Sequence, residues 1–328
     1  MNCSLVTFGE SMIRLSPPHF QRLEQTTSLD VQIGGAELNV AVAAQRLGLE
    51  TAYVTRLTAN PLGRMIVNKA REQGVDTSHV LWTQEDRMGL YFTEFGASPR
   101  PNSVLYDRRD SAMAHIQPGM VDWKTVLAGA RWFHTSGITP ALSASAAATT
   151  REGVKAAKAA GLKVSIDLNY RARLWSQEQA RTVMTDLMEG TDVLITTEED
   201  TERVFGITGK DYDEVARALT ARFCLEAVVI TLRETPSVWR NTWGAMALAG
   251  GEIYRSPIFD LELVDRVGAG DAFAGGFLFG YMKGGPEMGV QYGVAVSALK
   301  QTNPGDLCWA TPDEVERLLK GGNLRIVR

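Results

Sequence analysis

The sequence predicts an α/β protein: a mostly parallel sheet with helices on both faces, and a small second β-sheet standing off it. Three observations lead there. Short β-branched runs alternate along the chain with longer stretches of helical spacing, the pattern of repeated strand–helix units. Gly48, Gly74 and Gly161 follow helical stretches, where a left-handed C-cap costs glycine least. Two stretches, 11–33 and 88–109, break the rhythm, being too short and polar for strand–helix–strand units yet containing strand-like runs.

Taken in order, the candidate strands are Leu5–Gly9, Thr51–Thr55, Arg131–Thr135, Lys163–Leu168, Val193–Thr196 and Ala227–Leu232. Between them the spacing predicts helices over Ala36–Leu47, Leu62–Gln73, Ser143–Ala160, Gln177–Met188 and Tyr212–Phe223. Strands that alternate with helices in this way form parallel sheets buried on both faces. In 88–109, Leu90, Phe92 and Phe95 interleave with Tyr91, Thr93 and Glu94. A turn signal at Gly96–Asn102 then precedes Ser103–Arg109, which together read as a β-hairpin. The segment Thr242–Pro257 reads as a strand pair joined at Gly250-Gly251, followed by helices over Gly268–Lys283, Met288–Thr302 and Pro312–Lys320. No repeat, low-complexity tract or linker divides the chain, so 1–328 is read as one domain.

Composition narrows the function classes. The 328 residues are 45% hydrophobic and 22% charged, with a net charge of −4, which fits neither a disordered chain nor a basic nucleic-acid-binding domain. No apolar run is long enough for a membrane span. Cys3, Cys224 and Cys308 lie far apart with no CxxC pair. With no basic leader before an apolar block, they read as reduced thiols in a cytoplasmic protein. The four histidines, at 19, 79, 115 and 134, show no metal-ligand spacing.

Three segments carry chemistry. In Asp265-Arg-Val-Gly-Ala-Gly-Asp-Ala-Phe273, two glycines enter a helix and Asp271 falls in its first turn. Unsatisfied N–H groups at a helix start attract phosphate oxygens. An acid there can take the proton of a hydroxyl attacking a phosphoryl group, or can simply complement the helix dipole. Gly34-Gly-Ala-Glu-Leu-Asn-Val-Ala41 also feeds glycines into a helix, with Asn39 offering a donor and an acceptor to a polyhydroxylated ligand. Asp167-Leu-Asn-Tyr-Arg171 ends a strand, the place where ligands of open α/β sheets collect. Arg171 there either grips a carboxylate or closes a surface ion pair. Other phosphate motifs fail: Phe273 stands where a dinucleotide fingerprint needs its third small residue, and Asp211 where a P-loop needs Ser or Thr.

The two glycine segments, in this order and with Asp167-x-Asn169 between them, are similar to the paired signatures of the ribokinase-like (PfkB) carbohydrate kinases. The resemblance runs nearly the full chain. It implies a three-layer α/β/α core of about nine strands, a β lid formed by about 11–33 and 88–109, and ATP-dependent phosphorylation of a sugar hydroxyl. It also implies Asp271 as general base, the amides of Gly268, Ala269 and Gly270 as an anion hole, and Gly34, Gly35, Asn39, Asp167 and Asn169 at the sugar. Thr231, Arg233 and Asn303 fall on nucleotide-side positions, although Arg233 stands where many relatives carry Gly, so it either touches phosphate or fills space. Thr197-Glu-Glu-Asp200 replaces the usual Asn-x-x-Glu linked to divalent metal, leaving Glu199 and Asp200 as indirect partners of a Mg²⁺ held largely by phosphates. Arg266 replaces the small residue common before the glycine turn.

Gly89-Leu-Tyr91, Tyr106-x-Arg108, Asn169-Tyr-Arg171 and Lys300-Gln-Thr-Asn-Pro-Gly-Asp306 resemble the branch acting on 2-keto-3-deoxygluconate. Arg108 and Arg171 beside one pocket suit an acidic sugar; alternatively, Tyr91 and Tyr106 are a cross-strand pair that stabilises the hairpin. The reading is therefore a kinase of a keto-deoxy sugar acid, with ATP and Mg²⁺. A fructokinase-like ketose kinase and a catalytically silent sugar sensor are the alternatives. The exposed edges of lid strands point to a homo-oligomer formed through the lid.

Overall fold

The structure, a computed structural model, describes residues 3–322. The first part of the chain forms β1 (Leu5–Phe8), β2 (Met12–Ser16), β3 (Asp30–Gly34), α1 (Ala36–Arg46), β4 (Thr51–Val54), β5 (Arg56–Thr58), α2 (Pro61–Glu72), β6 (Leu81–Thr83), β7 (Leu90–Glu94) and β8 (Ser103–Asp107). The middle forms α3 (Trp123–Val126), β9 (Trp132–Ser136), α4 (Ala144–Ala159), β10 (Lys163–Asp167), α5 (Gln177–Met188), β11 (Val193–Thr196), α6 (Glu198–Phe205) and α7 (Tyr212–Phe223). The last part forms β12 (Ala227–Ser237), β13 (Arg240–Ala249), β14 (Glu252–Arg255), β15 (Phe259–Glu262), α8 (Ala269–Lys300) and α9 (Pro312–Leu319).

Nine strands make the main sheet in the order β14-β13-β12-β11-β10-β9-β1-β4, with β15 also pairing β13. From β4 to β12 every pairing is parallel; the β13 pairings are antiparallel. Side chains on successive residues point to opposite faces, and the core divides accordingly. Val6, Phe8, Phe133, Leu194, Val228 and Ile230 pack with α4, α5 and α7 on one face. Leu5, Trp132, Val193, Ile195, Ala227 and Val229 pack with α1 and α8 on the other. The result is the three-layer sandwich that the strand–helix alternation predicts.

Residues from 11–33 and 88–109 combine in a second sheet, ordered β3-β2-β7-β8. The hairpin is present: β7 and β8 pair antiparallel, with Tyr91 opposite Tyr106. The parallel pairing of β2 with β7 joins the two stretches. The glycines at 48, 74 and 161 have φ of 101°, 84° and 78° after their helices. The two expected helices after Gly268 are one element, α8, broken at Gly285 (φ 83°, ψ −169°) just before Pro286. That break matches the predicted gap, since a proline ring excludes the carbonyl of the preceding turn.

Three differences have physical causes. β12 runs on to Ser237, five residues past its expected end, because it zips against β13 beyond the layered core; residues 233–237 are exposed and show no alternation to read. β5, β6 and β15 are three- and four-residue strands, too short for a periodic signal. α6 begins in an acidic run, Glu198-Glu-Asp200, that reads as solvated surface yet complements the helix dipole, with Thr197 accepting the Asp200 N–H as N-cap.

Candidate active site

A cleft of about 650 Å³ lies at the carboxyl ends of the parallel strands, between them and the second sheet. Four of the strands deliver polar groups to it: Glu10 after β1, Asp167, Asn169, Tyr170 and Arg171 at and after the end of β10, Thr197 to Asp200 after β11, and Thr231 and Arg233 on β12. From the other side come Tyr91, Tyr106 and Arg108 of the second sheet, and Gly35 with Asn39 of α1. Gly268, Ala269, Gly270 and Asp271 form the floor at the start of α8.

The glycine turn is built for close approach. Gly268 is the N-cap of α8 with φ 81°, a left-handed conformation costly for other residues, and a Cβ there would sit 2.2 Å from the Asp306 carbonyl. A Cβ on Gly270 would meet nothing within 4 Å, so its backbone faces open cleft. The N–H of Ala269 donates to the Arg266 carbonyl (3.2 Å), closing the turn. The N–H groups of Gly268, Gly270 and Asp271 have no protein partner among the described residues. The donor set at the helix start is therefore shifted from the expected one: Ala269 is engaged and the amide of Asp271 is free.

Asp271 is half-buried and opens onto this floor. Asn39 Nδ2 donates to its Oδ2 at 2.7 Å, a contact made possible by the close packing of α1 on α8. At their crossing a Cβ on Gly275 would fall 2.7 Å from the Val40 carbonyl. Burial pushes the Asp271 carboxyl up to about 6, opposed by the Asn39 hydrogen bond and the Arg171 charge. Asp167 is raised to about 8 by burial and by the charges of Asp271 and Asp200, again opposed by Arg171. Burial also raises Asp200, which accepts the Tyr170 N–H (3.3 Å). Asn169, between them, takes a positive φ of 39°, which asparagine tolerates better than most residues. Three carboxyl groups thus share one partly desolvated cleft, and the exposed guanidinium of Arg171 opposes the rise of all three; among the described residues, its side chain donates to the Tyr170 carbonyl (3.2 Å).

Of the residues picked out from the sequence, all but two line this cleft. Gly34 lies behind the wall, where a Cβ would collide with Asp306 Oδ2 and the Tyr91 hydroxyl. Asn303 is a correction: its Nδ2 donates to the Leu299 carbonyl at the end of α8 (3.3 Å), and it does not line the cleft. Gln301 and Asp306 line it instead. Tyr91 and Tyr106 stack with ring centroids 5.9 Å apart, and Tyr91 donates to Asp306, so the hairpin-stabilising contact is real and coexists with a place on the wall. Arg108 is buried against Glu10, which also accepts from Ser111, and its guanidinium lies over the Tyr106 ring. Glu199 pairs with Arg203 at 2.5 Å. No group of three His, Cys, Asp or Glu side chains among the described residues is arranged to hold a metal.

Sequence reasoning missed Glu10, Glu37 and the Arg14 network. Glu37, two residues before Asn39, is buried and accepts from Ser136 and Thr139; burial lifts it to about 7. Arg14 on β2 reaches Asp265 (2.8 Å) and Asp306 (2.7 Å) with all three groups buried, tying the second sheet to the loops on either side of α8. Glu37 lies two residues past the first glycine pair, in the first turn of α1, and could have been read as a helix-start acid. Arg14 has no local signal, because both its partners lie some 250 or more residues away.

The fold and cleft define a phosphoryl-transfer scaffold, and sequence comparison agrees: residues 3–310 match the model of the pfkB family carbohydrate kinases. The chain belongs to that family. It is 44% identical over 331 residues to the 2-dehydro-3-deoxygalactonokinase of Haloferax volcanii, covering 100% of both chains. It is 31% identical over 322 residues to the 2-dehydro-3-deoxygluconokinase of Thermoproteus tenax, covering 97% of this chain and 94% of that one. The crystal structure of 2-dehydro-3-deoxygluconokinase from Thermotoga maritima superposes with a TM-score of 0.94 at 43% identity, covering 97% of this chain and 100% of that one.

Proposed function

We propose that this chain transfers the γ-phosphoryl group of ATP, entering with Mg²⁺, to the terminal hydroxyl of a 2-keto-3-deoxy sugar acid, 2-keto-3-deoxygluconate giving its 6-phosphate. The observation that carries this reading is Asp271, held by Asn39 at the mouth of the glycine turn in a cleft that also presents Arg108 and Arg171. Asp271 takes the proton as the hydroxyl oxygen bonds to the γ-phosphorus; the bond from that phosphorus to the β–γ bridging oxygen breaks, and ADP leaves. Such transfer depends on positioning and charge neutralisation. The free amides at the start of α8 supply donors for the γ-phosphoryl oxygens.

Arg171, exposed at the cleft, is the first choice for the sugar carboxylate. Arg108 acts with it, braced by Glu10. Gly35, Asn39, Asp167, Asn169, Tyr91 and Tyr106 shape the sugar side, with Gly34 giving Tyr91 and Asp306 their room. Thr231 and Arg233 face the nucleotide. The acids Glu199 and Asp200 each have a protein partner and form no cage, which fits an ion that travels on the triphosphate and meets them indirectly. Names of the relatives support the acidic substrate, since both keto-deoxy epimers are represented among them.

The whole chain acts as one kinase domain, with the second sheet as a lid over the sugar. Its edge strand β8, where Leu105 is 57% exposed, pairs with a second copy of the chain. A need for ATP and the free thiols support a cytoplasmic location; among the described residues no helix is long and apolar enough to cross a membrane. An ADP-release assay over 2-keto-3-deoxygluconate, its C4 epimer, fructose and ribose tests the reading. Turnover is expected with the keto-deoxy acids; brisk turnover of fructose with none of either acid would overturn it.

A further inference from the structure

The cleft holds a second pair of arginines that the sugar chemistry does not use. Arg266 stands two residues before Gly268, and Arg233 rises from β12, two strands beyond the β10 end that carries Arg171. Both line the cleft beside the glycine turn. Neither is paired with a carboxylate among the described residues, in contrast to the buried Arg14 and Arg108, which both are. The Nε and Nη2 atoms of Arg266 are buried with no hydrogen-bond partner among the described residues. Burial and the like charge of Arg233 both push the Arg266 guanidinium below its ordinary value. A half-buried cation beside another cation, lacking an acid, is unfavourable for the fold alone.

The base of Arg266 is nevertheless fixed firmly. Asp265, its neighbour, is locked by the Arg14 ion pair and accepts the N–H groups of Val267 (3.0 Å) and Gly305 (2.9 Å). The Arg266 carbonyl accepts from Ala269, so the same backbone that shapes the glycine turn aims this side chain. A rigid mount, unsatisfied donors and a like-charged neighbour together describe a site for an anion with more than one negative charge. A planar guanidinium binds phosphate oxygens in pairs.

We propose that Arg266, with Arg233 across from it, grips the outer phosphates of the nucleotide and stabilises the charge that develops on the transferred phosphoryl group. This inference rests on the kinase reading above and adds to it a residue that the chain supplies in cis. Arg266 then acts with the free amides of the turn: they bind the oxygens from the helix start, and the guanidinium binds them from the side. Guanidinium groups placed this way can contribute large factors to phosphoryl transfer.

Arg266→Gln and Arg233→Gln test the inference through calorimetric binding of ATP and AMP, steady-state kinetics and thermal melting. For Arg266→Gln we expect kcat to fall about 100-fold, the scale for losing one transition-state donor, with the sugar KM within about twofold of the unmutated protein. Binding of ATP should weaken about tenfold while that of AMP holds. Melting should not fall, because the removed groups have no protein partner and their repulsion is relieved. Arg266→Lys, which keeps the charge without the planar fork, should recover only part of the rate. Arg233→Gln should show the same ATP-selective loss on a smaller scale. Unchanged kcat and ATP affinity would overturn the proposal, as would equal losses for ATP and AMP together with a lowered melting temperature. If the unmutated protein phosphorylates no sugar acid, the kinase reading fails on its own, and the comparison of ATP with AMP still decides the role of Arg266.

Discussion

At the scale of single residues, the cleft sets its half-buried carboxylates against the guanidinium of Arg171. Asp271 accepts a proton only when ionised, and burial holds it near 6. The kcat/KM profile for the sugar acid is therefore expected to fall on the acid side with an apparent pKa near that value. Arg171 opposes the rise of Asp271, Asp167 and Asp200 alike. Arg171→Ala should therefore do two things: raise KM for an acidic sugar far more than for a neutral one, and move the acid limb to higher pH. A limb that stays in place would show that Arg171 does not share the field of Asp271. Asp271, Asn39 and Arg171 were legible in the sequence because each sits in a short segment whose neighbours announce a helix start or a strand end. Glu10 and Arg14 were not, since their roles come from partners far away in the chain: Arg108 and Ser111 for Glu10, Asp265 and Asp306 for Arg14.

At the scale of elements, function depends on how α8 begins. Gly268 must turn left-handed and leave room for the Asp306 carbonyl, and neither is compatible with a side chain. Gly268→Ala is expected to cost about 2 kcal/mol of stability from the backbone conformation, plus strain from the contact. It should also lower kcat at least tenfold, read by melting and by single-turnover kinetics. An alanine variant with unchanged kcat would mean that the turn does not set the donor geometry. The helix itself was plain in the sequence, as was its interruption at Gly285-Pro286. The full length of the β12–β13 hairpin was not, because the outer half of β12 is exposed and shows no alternation. The short strands β5, β6 and β15 carry too few residues for any periodicity to register.

At the scale of the whole molecule, two sheets meet over one cleft, and a buried cation joins them. Arg14 is 1% exposed between Asp265 and Asp306, and Tyr91 on the neighbouring strand donates to Asp306 as well. The second sheet is thereby registered to the loops that flank α8, which places Tyr106 and Arg108 opposite the glycine turn. Its free edge, β8, is the proposed contact with a second copy. Leu105→Glu should convert a dimer to a monomer in sedimentation velocity at micromolar concentration, and an unmutated protein that is already monomeric would contradict the pairing. The layered core and its parallel order could be read from the strand–helix alternation, while the way the second sheet docks depends on long-range ion pairs that no window of sequence contains.

The central claim is that one carboxylate at a helix start accepts the proton of a sugar hydroxyl. Its most direct test is Asp271→Asn, assayed for transfer from ATP to 2-keto-3-deoxygluconate while sugar binding is followed by calorimetry. The amide keeps the shape of the side chain and removes the base, so turnover should drop about 10³-fold or more with sugar affinity nearly unchanged. Turnover within tenfold of the unmutated protein, with the sugar still bound, would contradict the account.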